Sequence, residues 1–145
     1  MSDERGTGTV IYYNERWLTI HWEESTQAVW MEWKTYAEGD EFRSALDAGI
    51  SVIRQRRASR WLADLRRLGP VRQVDQQWTN DDWFPRAVAA GVRAMALVSP
   101  TAAVSRLSVK QIMSRVKEVE LVTAYFDELE EARSWLRGLA AKPSR

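Results

Sequence analysis

Asp64 closes the short apolar run Trp61-Leu62-Ala63, and two arginines, Arg66 and Arg67, follow almost at once. An acid at the end of a buried strand sits where open α/β sheets place their ligands, in the crevice outside the carboxyl ends of the strands. Ser99 ends a second apolar run, Val92 to Val98, and joins the same rim. One carboxylate, two guanidiniums and a hydroxyl suit recognition of a charged group, or an acid working beside an arginine clamp. General acid–base chemistry on most substrates wants a second positioned group, and no residue has a comparable placement by spacing. Asp64 equally suits a structural role, accepting N–H groups of the following loop or pairing with Arg66.

A second set lies at Trp78, Trp83 and Phe84, beside Asp81, Asp82 and Arg86. Stacking faces with polar groups at the edge would make a pocket wall above the strand ends. The same aromatics could anchor a helix on the sheet. The chain has eight tryptophans, and Trp17, Trp22, Trp30 and Trp33 fall near its start. Strand alternation splits them: Trp22 shares parity with Leu18 and Ile20, and Trp33 with Val29 and Met31, so Trp17 and Trp30 belong to the wetter face. An exposed aromatic strip there would suit a partner or a second copy. The single histidine, His21, has only Glu23 as a carboxylate at a telling spacing, and reads as a packed or solvated strand residue.

Arg54, Arg56, Arg57 and Arg60, followed by Trp61, look like a basic patch with an aromatic, as at nucleic-acid sites. Nucleic acid is nonetheless not the expected partner, because Trp61 begins a buried strand and the chain prefers arginine to lysine throughout. Lys and Arg total 21 against 20 Asp and Glu, a net charge of +1. The distribution is uneven: Arg54 to Arg72 sums to +6 and Glu118 to Glu131 to −6. A dipolar surface that steers charged partners would follow if these charges gather.

With no cysteine, disulfides, thiol nucleophiles and Cys-ligated metals are excluded, and one histidine cannot supply a His-rich metal site. No cofactor is expected. Gly6-Thr7-Gly8 lacks the phosphate-loop pattern. The polar N-terminus has no apolar signal region, and no run approaches the roughly 20 apolar residues of a membrane span, so a cytoplasmic protein is expected.

The elements that position these residues follow from hydrophobic period. Thr9 to Tyr13, Trp17 to Trp22 and Gln27 to Trp33 are rich in β-branched and aromatic residues and read as an antiparallel meander. From Gly39, the residues Phe42, Ala45, Leu46, Gly49, Ile50 and Ile53 recur at helical spacing, with Arg54 to Arg57 at the end that favours cations. Trp61 to Leu65 is a buried strand. A second helix is expected over Trp83 to Ala90, capped from Thr79-Asn80-Asp81-Asp82 with Pro85 in its first turn. A strand at Val92 to Val98 precedes a helix capped by Ser108 and Gln111; a strand at Leu121 to Phe126 precedes one capped by Asp127 and Glu130. The order is βββαβαβαβα, an α/β fold with a mixed sheet and helices packed on it, one domain over residues 9–140 between flexible ends at 1–8 and 141–145.

Trp61-Leu62-Ala63-Asp64-Leu65-Arg66, Asp75-Gln76-Gln77-Trp78, Asn80-Asp81-Asp82-Trp83-Phe84-Pro85-Arg86 and Ala90-Gly91-Val92 resemble bacterial STAS/SEC14-like proteins, in the branch similar to the sporulation anti-anti-sigma factor. The likeness runs from about Tyr12 to Gly138. It implies a non-enzymatic α/β binding module, which in the better-known relatives docks on a kinase-type anti-sigma factor or serves as a regulatory domain. The phosphorylatable serine that follows the strand-end aspartate in those relatives has no counterpart, since Leu65 to Gly69 contains no Ser or Thr.

The expected function is therefore regulatory recognition of a protein partner at a rim formed by Asp64, Arg66, Arg67, Trp78, Asp82, Trp83, Arg86 and Ser99. Two other readings stand beside it: a carrier of a small molecule or lipid in a pocket lined by Trp83 and Phe84, and a small enzyme using Asp64. A homodimer through the edge of the opening meander is also expected.

Overall fold

The computed structural model describes residues 8–116 and 121–139. Glu118 and Glu120 of the acidic stretch lie outside the described residues, as do 1–7 and 140–145 of the expected flexible ends. Three strands open the fold, and single strands then alternate with helical segments: β1 (Thr9–Glu15), β2 (Leu18–Glu23), β3 (Ala28–Trp33), α1 (Gly39–Arg56), β4 (Arg60–Asp64), α2 (Gln73–Trp78), a π-helical turn (Thr79–Trp83), α3 (Phe84–Ala90), β5 (Ala94–Val98), α4 (Ala103–Met113), β6 (Val122–Phe126) and α5 (Leu129–Gly138).

All six strands form one mixed sheet in the order β1-β2-β3-β4-β5-β6. The first three pair antiparallel and the rest parallel, as the alternation of elements predicts. Because each new parallel strand adds on the same side and helical crossovers are right-handed, the crossover helices must share one face of the sheet. There α1, the α2–α3 run and α4 cover Ile20, Met31, Trp33, Trp61, Met95 and Leu97. The opposite face is left to α5, whose Ala132 and Leu136 pack on Ala28, Leu62, Ala96 and Val98. Small strand residues let that helix sit close.

The stripe of α1 is buried as its period demands. A Cβ on Gly49 would run into the Trp61 indole and the Met31 sulfur, so α1 lies against the sheet only because that position is bare. The helix ends at Arg57 in the left-handed conformation, φ 53°.

Three expectations are corrected. The middle helix does not start at Trp83: helical backbone runs from Gln73 to Ala90, widening to a π turn at Thr79–Trp83 where Phe84 N–H donates to the Thr79 carbonyl. Pro85 lies within that run, and its ring would clash with the carbonyl of residue 81 in a regular α-helix; the widened turn relieves this. Ser108 is no cap but lies inside α4, where its hydroxyl accepts from Val71 N–H at 3.1 Å and donates to the Val104 carbonyl. The N-cap of α5 is Glu128 without a side-chain cap, and Glu130 instead accepts from Arg133 and Arg137.

Candidate functional site

Alternation along β4 turns Trp61 and Ala63 toward α1 and sends Leu62 and Asp64 to the other face. The Asp64 side chain is 2% exposed, and both its oxygens are taken. Arg66 folds back over two residues to donate Nε–H to Oδ1 and Nη2–H to Oδ2, each at 2.8 Å, and Trp30 Nε1–H donates to Oδ2 at 3.2 Å. Such a two-pronged contact fixes the plane of the guanidinium as well as its place. Hydrogen bonding to Asp64 raises the pKa of Arg66, the charges of Asp64 and Glu32 add to this, and burial opposes it. The acid is thus spent on orienting a cation that stays 41% exposed.

Neighbouring strands complete the rim. Glu32 pairs in register with Asp64 across the parallel β3–β4 ladder, and Leu65 N–H donates to the Val98 carbonyl at 3.0 Å. Thr101, after β5, donates both N–H and Oγ1–H to the Arg66 carbonyl, at 3.3 and 3.2 Å. Glu32, Trp33, Asp64, Arg66, Arg67 and Thr101 line an open groove of about 410 Å³. Behind it, His21 Nε2–H donates to Glu32 at 2.9 Å, and its ring stacks on Trp30 at 4.0 Å. The carboxylate partner of His21 is therefore Glu32 across the hairpin and not Glu23.

Elsewhere, Arg86 donates to Asp47 and Asp82, each at 2.9 Å, and lies over the half-buried Trp78 with Arg43 beside it. Asp75, fully buried, accepts from Gly39 N–H at 2.9 Å, Arg43 Nε at 3.1 Å and Arg72 Nε at 3.2 Å. Burial pushes its pKa up, but the Gly39 N–H and the two arginines outweigh this and hold it below the ordinary value. Among the described residues no group of His, Asp or Glu has the arrangement of a metal site, and no helix is long and apolar enough to cross a membrane.

The family description SpoIIAA-like, covering STAS-like anti-anti-sigma domains, matches residues 28–137. The chain belongs to the SpoIIAA-like family. No curated protein matches it, and no solved structure does. The SpoIIAA-like region opens at the first residue of β3, so it holds the whole parallel part of the sheet and leaves β1 and β2 outside. SpoIIAA-like domains are regulatory and binding modules, generally without enzymatic activity.

In this SpoIIAA-like fold the eight residues expected at one rim separate. Asp64, Arg66 and Arg67 share the groove after β4. Ser99 lies beside it in a pocket with Arg106, Lys110 and Tyr125. Trp78, Asp82 and Arg86 form the cluster with Asp47, and no hydrogen bond or ion pair among the described residues joins it to Asp64. Trp83 is not at a rim: it is 1% exposed, meets Trp61 edge-on at 5.0 Å and donates Nε1–H to the Leu46 carbonyl at 3.0 Å. It is the anchor that docks the π turn on the core. The apolar cavity beside it, lined by Trp61, Trp83 and Phe84 among others, measures about 70 Å³. A cavity that holds benzene measures ~150 Å³, so this one has no room for an acyl chain.

Sequence reasoning missed Glu32, Trp33 and Thr101. Parallel pairing was its only available signal: once β3 and β5 flank β4, their carboxyl ends must fall beside Asp64.

Proposed function

We propose that this SpoIIAA-like protein is a non-enzymatic regulatory module that recognises a protein partner with the surface after β4 and β5. The state of Asp64 carries the reading: a buried carboxylate whose two oxygens accept three hydrogen bonds has no free role as base or nucleophile, and its effect is to present Arg66. Exposed apolar residues follow the groove residue Thr101 in the chain. One turn beyond Thr101, Val104 and Leu107 are 63% and 56% exposed on one side of α4. Exposed apolar residues together with an oriented arginine suit a protein interface, where arginine is enriched among the residues that carry affinity.

The test is affinity capture from native lysate with the full chain, followed by titration of the purified captured protein against wild type and Arg66→Glu/Arg67→Glu. Charge reversal is expected to weaken binding at least about tenfold, or ~1.4 kcal/mol. Equal affinity for both proteins would refute the site.

A further inference from the structure

A second charged groove lies at the other end of β4. Gln27, Arg56, Arg57, Ala58, Ser59 and Arg60 line a volume of about 200 Å³, a lining with three arginines and no acid. Arg66, Arg86 and Arg133, by contrast, each pair with an acid. Among the described residues none of Arg56, Arg57 and Arg60 forms an ion pair.

Two of these cations are held in place without losing their charge. Arg56 donates Nε–H to the Tyr12 hydroxyl at 2.9 Å, and its guanidinium lies 5.1 Å from the Trp22 ring and 5.5 Å from that of Tyr12. Its two terminal nitrogens make no hydrogen bond among the described residues. Arg60 donates to the Thr26 carbonyl at 3.0 Å and the Leu139 carbonyl at 3.3 Å. Aromatic faces and backbone carbonyls restrain a guanidinium and leave it cationic, so little side-chain freedom is lost when an anion arrives.

The third cation stands where the backbone favours glycine. Arg57 caps α1 at φ 53°, and Gln27, across the groove, has φ 55°; they are the two non-glycine residues of positive φ among the described residues. Left-handed conformations on residues with a Cβ are uncommon, and they cluster at ligand clamps. Gln27 also hydrogen-bonds a neighbouring acid: its Nε2–H donates to Glu24 Oε2 at 2.9 Å, Trp22 Nε1–H donates to Oε1 at 3.0 Å, and the charge of Arg56 acts on the same carboxylate. The groove lining itself offers donors, from Arg56, Arg57 and Ser59, and no carboxylate.

We propose that this groove binds the phosphate group of a small phosphorylated molecule. A tetrahedral dianion with several acceptor oxygens matches forked guanidinium donors. The volume suits one phosphate and a short substituent, and Arg93, next along the strand ends, turns its Nη1 to the Val88 and Val92 carbonyls. This site is separate from the partner surface at Asp64 and does not depend on it.

The test is calorimetric titration of the full chain with inorganic phosphate and with glycerol 3-phosphate at constant ionic strength, beside a single-stranded oligonucleotide. Saturable binding of both phosphates is expected, weakened about tenfold or more in Arg57→Gly. The thermal midpoint of that variant in chloride is expected not to fall, because glycine suits the left-handed cap. Arg56→Lys, which keeps the charge and loses the fork, should bind with intermediate affinity. Absence of saturable phosphate binding, equal affinity in Arg57→Gly, exclusion of glycerol 3-phosphate, or binding of the oligonucleotide alone would each overturn the proposal.

Discussion

Replacing Asp64 with alanine separates a carboxylate that builds a surface from one that does chemistry. The side chain is buried and accepts three hydrogen bonds, two from Arg66 and one from Trp30. Its loss leaves the half-buried Trp30 N–H unpaired, a cost of about 1–2 kcal/mol. Arg66 is 41% exposed and regains water, so its two bonds count nearly as a surface pair, about 1 kcal/mol together. The sum is about 2–3 kcal/mol, which for a domain of this size lowers the thermal midpoint by about 5–10 °C. Asp64→Asn keeps the shape and one acceptor for Trp30, and should lose about 1 kcal/mol. Urea unfolding followed by tryptophan fluorescence supplies the free energies by linear extrapolation. A double-mutant cycle with Arg66→Ala should show coupling of about 1 kcal/mol. An alanine variant as stable as wild type, or more so, would refute the reasoning, since that behaviour belongs to a residue kept for activity at the expense of stability.

Asp75 should make the fold sensitive to acid. Its folded pKa is below the ordinary value, so its stabilisation is complete above the unfolded carboxylate pKa and is lost as pH falls through the folded one. Urea midpoints of wild type should drop on acidification, and Asp75→Asn should flatten that limb while lowering the neutral value; an unchanged acid limb would count against the Gly39–Arg43–Arg72 cradle. Gly49→Ala should lower stability by about 1–3 kcal/mol, because its methyl group meets the Trp61 indole and Met31. Equal denaturation midpoints for that variant and wild type would contradict the close seating of α1.

The order of elements was legible because each change of hydrophobic period marks a change of backbone, as at Gly39 and at Trp61. Boundaries failed where side chains found distant partners. Ser108 has the local signature of a cap, yet its hydroxyl accepts from Val71 across 37 residues of chain. Thr79 to Asp82 resembles a helix start, yet packing of Trp83 on Trp61 carries the helix through it as a π turn.

For the candidate site, the local chain determined that Asp64 ends a buried strand and that Arg66, two residues on, can reach back to it. Spacing of two residues is short-range geometry, and any extended strand end would allow it. Only the tertiary structure decided that Trp30 holds the same carboxylate, that Glu32 and Thr101 join the groove, and that Trp83 belongs to the core. Those placements depend on strand neighbours and helix faces, which a parallel sheet sets through contacts between residues far apart in sequence. The left-handed cap at Arg57 and the aromatic clamp on Arg56 are of the same kind, since a run of arginines reads alike whether its charges are paired, clamped or free.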